Sequence, residues 1–406
     1  MSKSMESIYW IDGPTQWVEP PSVFSYSSLT QIERCPLKWQ LIHSSYGSYR
    51  HFPARLNPAA VEGDIVHRSL DQLFKSFTLC GLPEIGTTKF KEFVKEFNLY
   101  RFVLESVEEY NDFISRHPRS TGFRLSSNIQ QLVNKIIRFF RAEYPQICAT
   151  HKGALPIKRA KRAYTESESQ IGTKLLSSLK KQGSLSEVSI MDEQLRFQGI
   201  IDFLWSDAKG TIIADFKTGK PHSEHRKQII YYAVLWWRYT GDKPFRIEVR
   251  YYNSVDPLHV DEESLKQAEQ DLNKSIKSSI SVLSKMPAEA RIGDHCRYCD
   301  VRQFCELYWE STIDPKKSRE NTTSVDMEVR INDDPSANGF EGKGKNGKNY
   351  SIVFRQELEK IHGPFFKGDR IRLLRGVNPE HSSEIELKTW TEVFHVSESS
   401  EKTEHF

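Results

Sequence analysis

The sequence has no hydrophobic run long enough to cross a membrane. Its longest apolar stretch, residues 229–237, has nine residues, whereas a membrane-spanning helix needs about 20. The first twenty residues include Glu6, Asp12 and Glu19 and contain no apolar segment, so no secretory signal is predicted. We therefore expect no membrane partner.

Cysteine is scarce, and neither sign of charge dominates. Six cysteines among 406 residues do not form a disulfide scaffold, and without a secretory signal we expect a reducing, cytoplasmic location. The net charge of +3 neither requires nor excludes a nucleic-acid partner, because the arrangement of charge matters more than its sum. The length predicts two or three domains.

Helical and strand patterns alternate through most of the chain, which predicts an α/β fold. Apolar residues at helical spacing predict amphipathic or buried helices over 61–77 and 223–239. Two β-branched runs, 197–205 and 211–219, flank a turn-like segment and predict a hairpin, and 244–252 predicts a further strand.

The composition changes after about residue 314, which predicts a second, smaller domain. We expect an α/β domain over 1–314 with a helical insertion at about 84–186, then a linker over 315–324. Residues 325–397 predict a small all-β, OB-like domain, and 398–406 a disordered tail. The strand-like runs of the second domain are 325–331, 349–354, 369–377 and 386–396.

The hairpin carries the strongest chemical signal. Asp215 and Lys217 are two residues apart, so on a strand they point to the same face, and the partner strand can place Asp202 beside them. Two close carboxylates repel each other unless a cation lies between them, and carboxylate oxygens suit Mg²⁺ or Mn²⁺. A surface hairpin with an ordinary salt bridge remains an alternative for this segment taken alone.

Further polar residues precede and follow the hairpin. His67 lies within the first amphipathic helix, and Gln228 and Tyr232 are four residues apart on the helix after the hairpin, so they share a face. Each signal alone is weak, since a histidine on an apolar face is commonly a satisfied core residue. In chain order, however, they form the set G-x-x-x-H, G-x-x-D, D-x-K-T-G and Q-x-x-x-Y.

This ordered set resembles the RecB-like branch of the PD-(D/E)xK nucleases, which includes AddB and the RecB-like nuclease of CRISPR adaptation. The resemblance implies a restriction-endonuclease-like core that hydrolyses DNA with Mg²⁺ or Mn²⁺. It implies metal ligation by His67, Asp202 and Asp215, catalysis by Lys217, and support from Gln228 and Tyr232. Glu187 or Glu193, just upstream of the hairpin, is a further candidate ligand, although either could equally be a surface charge.

The cysteine spacing is a second, independent signal. Cys296, Cys299 and Cys305 follow a cluster-like spacing, and Cys35 lies far upstream. Four thiolates suit an iron–sulfur cluster or a structural Zn²⁺, and the ligand chemistry alone does not decide between them. The resemblance to AddB and the CRISPR nuclease implies a [4Fe–4S] cluster.

Basic and aromatic residues suggest how DNA could be held. The Lys158–Arg162 run could contact phosphates, although a basic run is more often a solvated face. In the OB-like domain, Tyr350, Phe354, Trp390 and the lysines of the Gly339–Lys348 loop are candidates for single-strand binding. The aromatics could instead form the barrel core, and the domain could instead bind a protein.

The resulting prediction is a metal-dependent deoxyribonuclease that acts on DNA ends or single strands, with exonuclease action favoured. The family resemblance suggests work in repair, recombination or anti-phage defence, beside a helicase or a defence-complex protein. The alternative is a catalytically idle nuclease fold that binds DNA or assembles a larger complex.

Overall fold

The protein is described here by a computed structural model covering residues 7–120, 123, 125, 128–150, 168–217, 219–251, 254–311, 324–378 and 382–397. None of the described helices combines the length and the apolar character needed to cross a membrane. The α-helices are α1 (Tyr26–Arg34), α2 (Pro36–His43), α3 (Pro58–Leu79), α4 (Thr88–Phe97), α5 (Leu99–Arg116), α6 (Ile129–Thr150), α7 (Glu168–Gln182), α8 (Ser223–Thr240), α9 (Glu262–Leu283), α10 (Glu306–Ser311) and α11 (Gln356–His362). The strands are β1 (Phe24–Ser25), β2 (Ser184–Asp192), β3 (Phe197–Asp207), β4 (Gly210–Lys217), β5 (Arg246–Tyr251), β6 (Ser254–His259), β7 (Ser324–Ile331), β8 (Gly339–Gly344), β9 (Asn349–Val353), β10 (Arg370–Val377), β11 (Glu384–Glu386) and β12 (Glu392–Val396).

The first sheet is mixed, as an α/β fold requires. Its order is β1-β3-β4-β5-β6, with β2 paired to β3. Strands β3 and β4 form the predicted hairpin, whose turn is fixed by Asp207, since its Oδ1 accepts hydrogen bonds from the backbone N–H groups of Lys209 and Gly210. Strands β4 and β5 are parallel, and α8 forms the crossover between them.

Two hydrophobic clusters hold helices on opposite faces of this sheet. The segment 233–236 of α8 is wholly buried among residues of β3, β4, β5 and α9, which explains why this part of the helix is apolar on all sides. On the other face, α3 and α6 pack against Phe203 and Phe216. The strand ends that carry the predicted acids therefore lie between α3 and α8.

The predicted insertion contains the helices α4 to α7, but its end is not helical. We expected the helical insertion to extend to about residue 186, whereas α7 is followed at Ser184 by strand β2. Strand β2 pairs with β3 over most of its length. The basic run Lys158–Arg162 lies outside the described residues.

The second sheet closes into a small β-barrel. Its order is β11-β9-β8-β7-β10-β12, and β11 also pairs with β10, which closes the ring. Helix α11 lies between β9 and β10 in the chain. The prediction of one strand over 386–396 was wrong, because a turn closed by a hydrogen bond from Thr391 N–H to the Lys388 carbonyl separates β11 from β12. The Gly339–Lys348 segment is strand β8 with a tight turn rather than a loop.

The N-terminal segment of the chain packs against the barrel. Residues Ile8–Trp10 form a short 3₁₀ helix that packs against β12, and Trp10 stacks on His395 with ring centroids 3.5 Å apart. The predicted linker, apart from Ser324, and the predicted tail lie outside the described residues.

Buried ion pairs fix the barrel against the first domain. The Glu392 carboxylate of β12 accepts from Arg119 Nε at 2.7 Å and from Arg55 Nη2 at 2.5 Å. Asp326 of β7 accepts from Arg302 Nε at 2.6 Å, in the cysteine-rich segment. Burial alone would raise the pKa values of Glu392 and Asp326, but their arginine partners outweigh it and lower both.

Candidate active site

Three carboxylates lie in a row across three neighbouring strands. The pairing of β3 with β4 ends at Phe203 and Ala214, and Asp202 and Asp215 are the next residues on the two strands. In the pairing of β2 with β3, Glu187 lies at the position opposite Asp202. Because neighbouring strands are about 4.8 Å apart, this arrangement brings acids from three strands together on one sheet.

Both acids of the hairpin are in an environment that disfavours their charged form. Asp215 is 1% exposed, and burial raises its pKa, although the nearby Lys217 partly opposes the shift. Burial also raises the pKa of Asp202 well above its usual range, and the Asp215 charge adds to this effect. The Asp202 carboxylate accepts a hydrogen bond from the Phe216 backbone N–H at 2.7 Å, which fixes its orientation.

Lys217 and His67 reach the acids from two sides. Lys217 Nζ lies 2.7 Å from Asp215 Oδ2, as expected for residues two apart on a strand. His67, on α3, has its Nδ1 4.0 Å from Asp202 Oδ2. Burial lowers the pKa of His67, with a partial opposing effect from Asp215, so the imidazole is favoured in the neutral form that can bind a metal.

Gln228 and Tyr232 border the acids from α8. Gln228 Nε2 donates to Tyr232 Oη at 2.9 Å. The Tyr232 ring lies against the backbone of Gly199, where an added Cβ would come within 2.5 Å of Tyr232 Cε1. Gly199 is therefore needed for the close approach of helix and strand, which gives the glycine of the G-x-x-D pattern a structural reason.

Glu187 is the acid that the sequence left open, and strand β2, which carries it, was missed. Single ligand atoms of His67, Glu187 and Asp202 lie within 4.8 Å of one another. Glu187 has a positive φ of 50°, an uncommon backbone conformation for this residue type. Alternation of buried residues at 188, 190 and 192 is a strand signal that could have located β2. Glu193 lies in the exposed turn after it.

The arrangement can bind a hard divalent cation. It offers one neutral imidazole and up to three carboxylates, which are the ligands that Mg²⁺ and Mn²⁺ accept. A cation there would relieve the repulsion between Asp202 and Asp215 that the raised pKa values reflect. The residues present therefore fit such an ion.

The four predicted cysteines line one small cavity. Cys35 lies between α1 and α2, and the other three lie on the short turns that follow α9. Burial raises the pKa of Cys296, and it raises the pKa of Cys299 and Cys305 to about 11. Four thiols in one cavity are a donor set that suits a soft metal centre, which would hold them as thiolates.

The aromatic residues proposed for single-strand binding differ in exposure. Tyr350 and Phe354 are buried in the barrel core, which is the alternative left open for them, so they are not candidates for stacking on bases. Trp390 is 44% exposed. Sequence pattern does not separate these cases, because aromatic residues are common both in cores and at binding surfaces.

The profile of the PD-(D/E)XK nuclease superfamily matches residues 23–306, and none of the curated proteins is a significant match. Among solved structures, a candidate exonuclease from Eubacterium rectale shares 14% identity, with 68% of this chain and 88% of that chain covered and a TM-score of 0.36. SSO0001 shares 15% identity, with 34% and 68% covered and a TM-score of 0.22.

The family match covers more than two thirds of the sequence, and it includes α3, the acid-bearing hairpin, α8 and all four cysteines of the cavity. The chain belongs to the PD-(D/E)XK nuclease superfamily.

Proposed function

We propose that this nuclease is a metal-dependent deoxyribonuclease of the RecB-like branch, acting on DNA ends or single strands. The observation that carries the proposal is the convergence of Glu187, Asp202 and Asp215 with His67 and Lys217 at one end of the sheet. Burying mutually repelling carboxylates lowers the stability of a fold. A bound cation would offset this loss.

Each side chain has a distinct part in the proposed reaction. Ligand atoms of His67, Glu187 and Asp202 lie close enough to share one Mg²⁺ or Mn²⁺ ion. Asp215 is outside that group of three, and we assign it as a further ligand from the neighbouring strand, as the family resemblance implies. When bound, such an ion polarises a phosphoryl oxygen and lowers the pKa of a coordinated water. Lys217, held by Asp215, is placed to orient the attacking water and to offset negative charge that develops on the phosphate.

Gln228 and Tyr232 support this arrangement from α8. Their mutual hydrogen bond and the contact of Tyr232 with Gly199 fix the distance between helix and hairpin. We assign them to positioning the hairpin and the substrate rather than to bond cleavage.

We also propose that Cys35, Cys296, Cys299 and Cys305 hold a [4Fe–4S] cluster. The chemistry of four thiolates does not decide between such a cluster and a single Zn²⁺ ion. The family resemblance is what favours iron.

The second domain is proposed to be an OB-like barrel that binds single-stranded DNA. Its ring of five strands, with β12 added to β10, is consistent with a five-stranded Greek-key barrel. Trp390 is an exposed aromatic that could stack on a base. A helicase or a defence-complex protein remains the proposed protein partner.

The central test is cleavage of labelled single- and double-stranded DNA, with defined 5′ and 3′ ends, in Mg²⁺ or Mn²⁺. We expect cleavage by the wild type, loss of cleavage in Lys217→Met, and wild-type cleavage in Asp256→Asn, which removes only an exposed ion pair with Arg226. Equal cleavage by all three proteins would show that the assigned site is wrong. DNA binding without cleavage under either ion would favour the catalytically idle alternative.

The cysteine proposal is tested by metal analysis of protein purified without oxygen. We expect about four iron atoms per chain and broad absorbance near roughly 400 nm. Cys299→Ser should lose this absorbance, and Cys80→Ser, outside the cavity, should keep it. Stoichiometric zinc in place of iron would overturn the assignment.

The barrel proposal is tested by single-strand affinity of point variants. Trp390→Ala should weaken binding by about tenfold. Phe366→Ala is the matched control, since Phe366 is also an exposed aromatic of this domain, and it should bind normally. Unchanged affinity of Trp390→Ala would point to a protein-binding role for the barrel.

A further inference from the structure

One face of α8 carries a third polar residue beside the two of the family motif. His225, Gln228 and Tyr232 are at positions i, i+3 and i+7, a spacing that places them on one side of a helix. Tyr232 packs on Gly199, so this side faces the hairpin. His225 therefore extends the Q-x-x-x-Y face by one turn, toward the N-terminal end of α8.

A buried tyrosine holds the His225 ring. Its Nδ1 lies 2.9 Å from the hydroxyl of Tyr251 at the end of β5. Tyr251 is paired in register with Lys217 on the neighbouring parallel strand and is itself buried. The imidazole is thus attached to the strand position next to the proposed catalytic lysine.

The charges of the active site act on His225. Burial is the largest influence and lowers its pKa; Lys217 lowers it further, and Asp215 partly opposes both. The ring is therefore favoured as neutral imidazole. If the Tyr251 hydroxyl donates to Nδ1, the ring proton resides on Nε2, which leaves an N–H donor directed away from Tyr251.

A hydrogen-bond donor at this position answers a need of the proposed reaction. The row of carboxylates repels a DNA phosphate, so groups that donate hydrogen bonds around its edge are required to hold the strand. The described neighbours of His225 leave its ring half-exposed, unlike a core histidine that is enclosed on all sides.

We propose that His225 donates a hydrogen bond from Nε2 to a non-bridging oxygen of the DNA phosphate next to the one that is cleaved. Tyr251 is the positioning residue that orients the ring. This inference rests on the proposed nuclease function and adds a substrate contact outside the motif residues.

The test compares His225→Ala, His225→Gln, Tyr251→Phe and His222→Asn in the cleavage assay. His225→Ala should lower kcat/KM about tenfold, mainly through KM, as expected for one hydrogen bond to a charged group. His225→Gln retains a donor and should recover part of the loss. His222→Asn, a matched exposed histidine that caps α8, keeps a capping residue and should behave as the wild type.

Tyr251→Phe should also raise KM, and the double variant with His225→Ala should be no worse than His225→Ala alone. DNA affinity measured with Ca²⁺ in place of Mg²⁺ should follow the same order. Wild-type KM and affinity in His225→Ala, or additive losses in the double variant, would overturn the proposal. Absence of cleavage in the wild type would instead overturn the proposed function.

Discussion

Buried acids occur in two regions of this molecule, and their surroundings are opposite. At the end of the first sheet, Asp202 and Asp215 face each other, and their pKa values are raised. At the contact between barrel and first domain, Glu392 and Asp326 are enclosed by arginines, and their pKa values are lowered. Arginines thus neutralise the second pair of acids, whereas for the first pair we propose that a bound cation does so.

The balance of nearby charges, rather than burial, distinguishes the acids of the candidate site from those that stabilise the contact between the domains. All four carboxylates are largely buried, and Asp202 and Asp326 are each partly exposed, so burial alone would not distinguish the two regions. What differs is the number of cations that the chain itself supplies. An excess of buried negative charge is a signal for a binding site, because such an arrangement is costly without a ligand.

Asp202→Asn should produce the largest functional effect. We expect the rate of DNA cleavage to fall roughly a thousandfold or more, since a ligand worth several kcal/mol of transition-state stabilisation is removed. We expect no loss of thermal stability without divalent ions, because one of two repelling charges is gone. A large drop in Tm would show that the Asp202 carboxylate stabilises the folded protein without a cation, which would contradict the difference between the two regions.

Glu392→Gln should do the reverse. Removing one charge of a buried pair leaves Arg55 and Arg119 without an anion, which costs about 3–5 kcal/mol. Urea unfolding should detect this loss. Glu386→Gln is the matched control, since its ion pair with Lys388 is partly exposed, and it should change the free energy of unfolding by no more than about 1 kcal/mol. Equal losses of unfolding free energy in Glu392→Gln and Glu386→Gln would contradict the structural role of the buried ion pair.

Divalent ions should stabilise the active-site end and do so in a pH-dependent way. At a concentration 100 times Kd, Mn²⁺ should add about 2.7 kcal/mol to the free energy of unfolding at neutral pH. Because the folded pKa values of Asp202 and Asp215 are raised, protonation competes with the ion at a higher pH than for an ordinary carboxyl group. The gain should therefore shrink as the pH falls toward those raised values.

Without metal, the active-site acids and the barrel acids should affect the pH dependence of stability in opposite directions. A raised folded pKa makes the carboxylate destabilising once the pH exceeds its unfolded value of about 3.9. For Glu392, whose pKa is lowered, stability is present above the unfolded value of about 4.3 and is lost as the pH falls below it. Metal stabilisation that survives in Asp202→Asn would contradict the assigned site.

Glu187→Gln should give the smallest effect of this series. We expect the Mn²⁺ concentration required for half-maximal cleavage to rise about tenfold, as for loss of one supporting ligand group. Glu193→Gln, in the exposed turn beyond β2, should match the wild type. If Glu193→Gln had the larger effect, the third acid of the row would be misassigned.

Local sequence signals were sufficient for part of this site. The spacing of Asp215 and Lys217 and the apolar runs around them predict the hairpin, because side-chain alternation on a strand is a local property. The buried helix α8 was likewise evident from its apolar run. The family resemblance then supplied candidate roles that spacing alone could not.

Long-range pairing was beyond those signals. Nothing near Glu187 indicates that its strand pairs with the one bearing Asp202, and the helical insertion expected up to about residue 186 concealed the start of that strand. The arginines that hold Glu392 are 337 and 273 positions away. Such contacts depend on how separate elements pack, which short-range patterns do not specify.

The anchoring of Glu392 also limits how the β-barrel can be studied. Removing the barrel would leave the fully buried guanidinium of Arg119 without its counter-charge. It would also expose the hydrophobic cluster that barrel residues form with Cys299 and Trp309. A truncated protein would then report damage to the cysteine cavity as well as loss of a DNA contact. The barrel is part of the scaffold around those thiols, so its role has to be dissected by single substitutions in the intact chain.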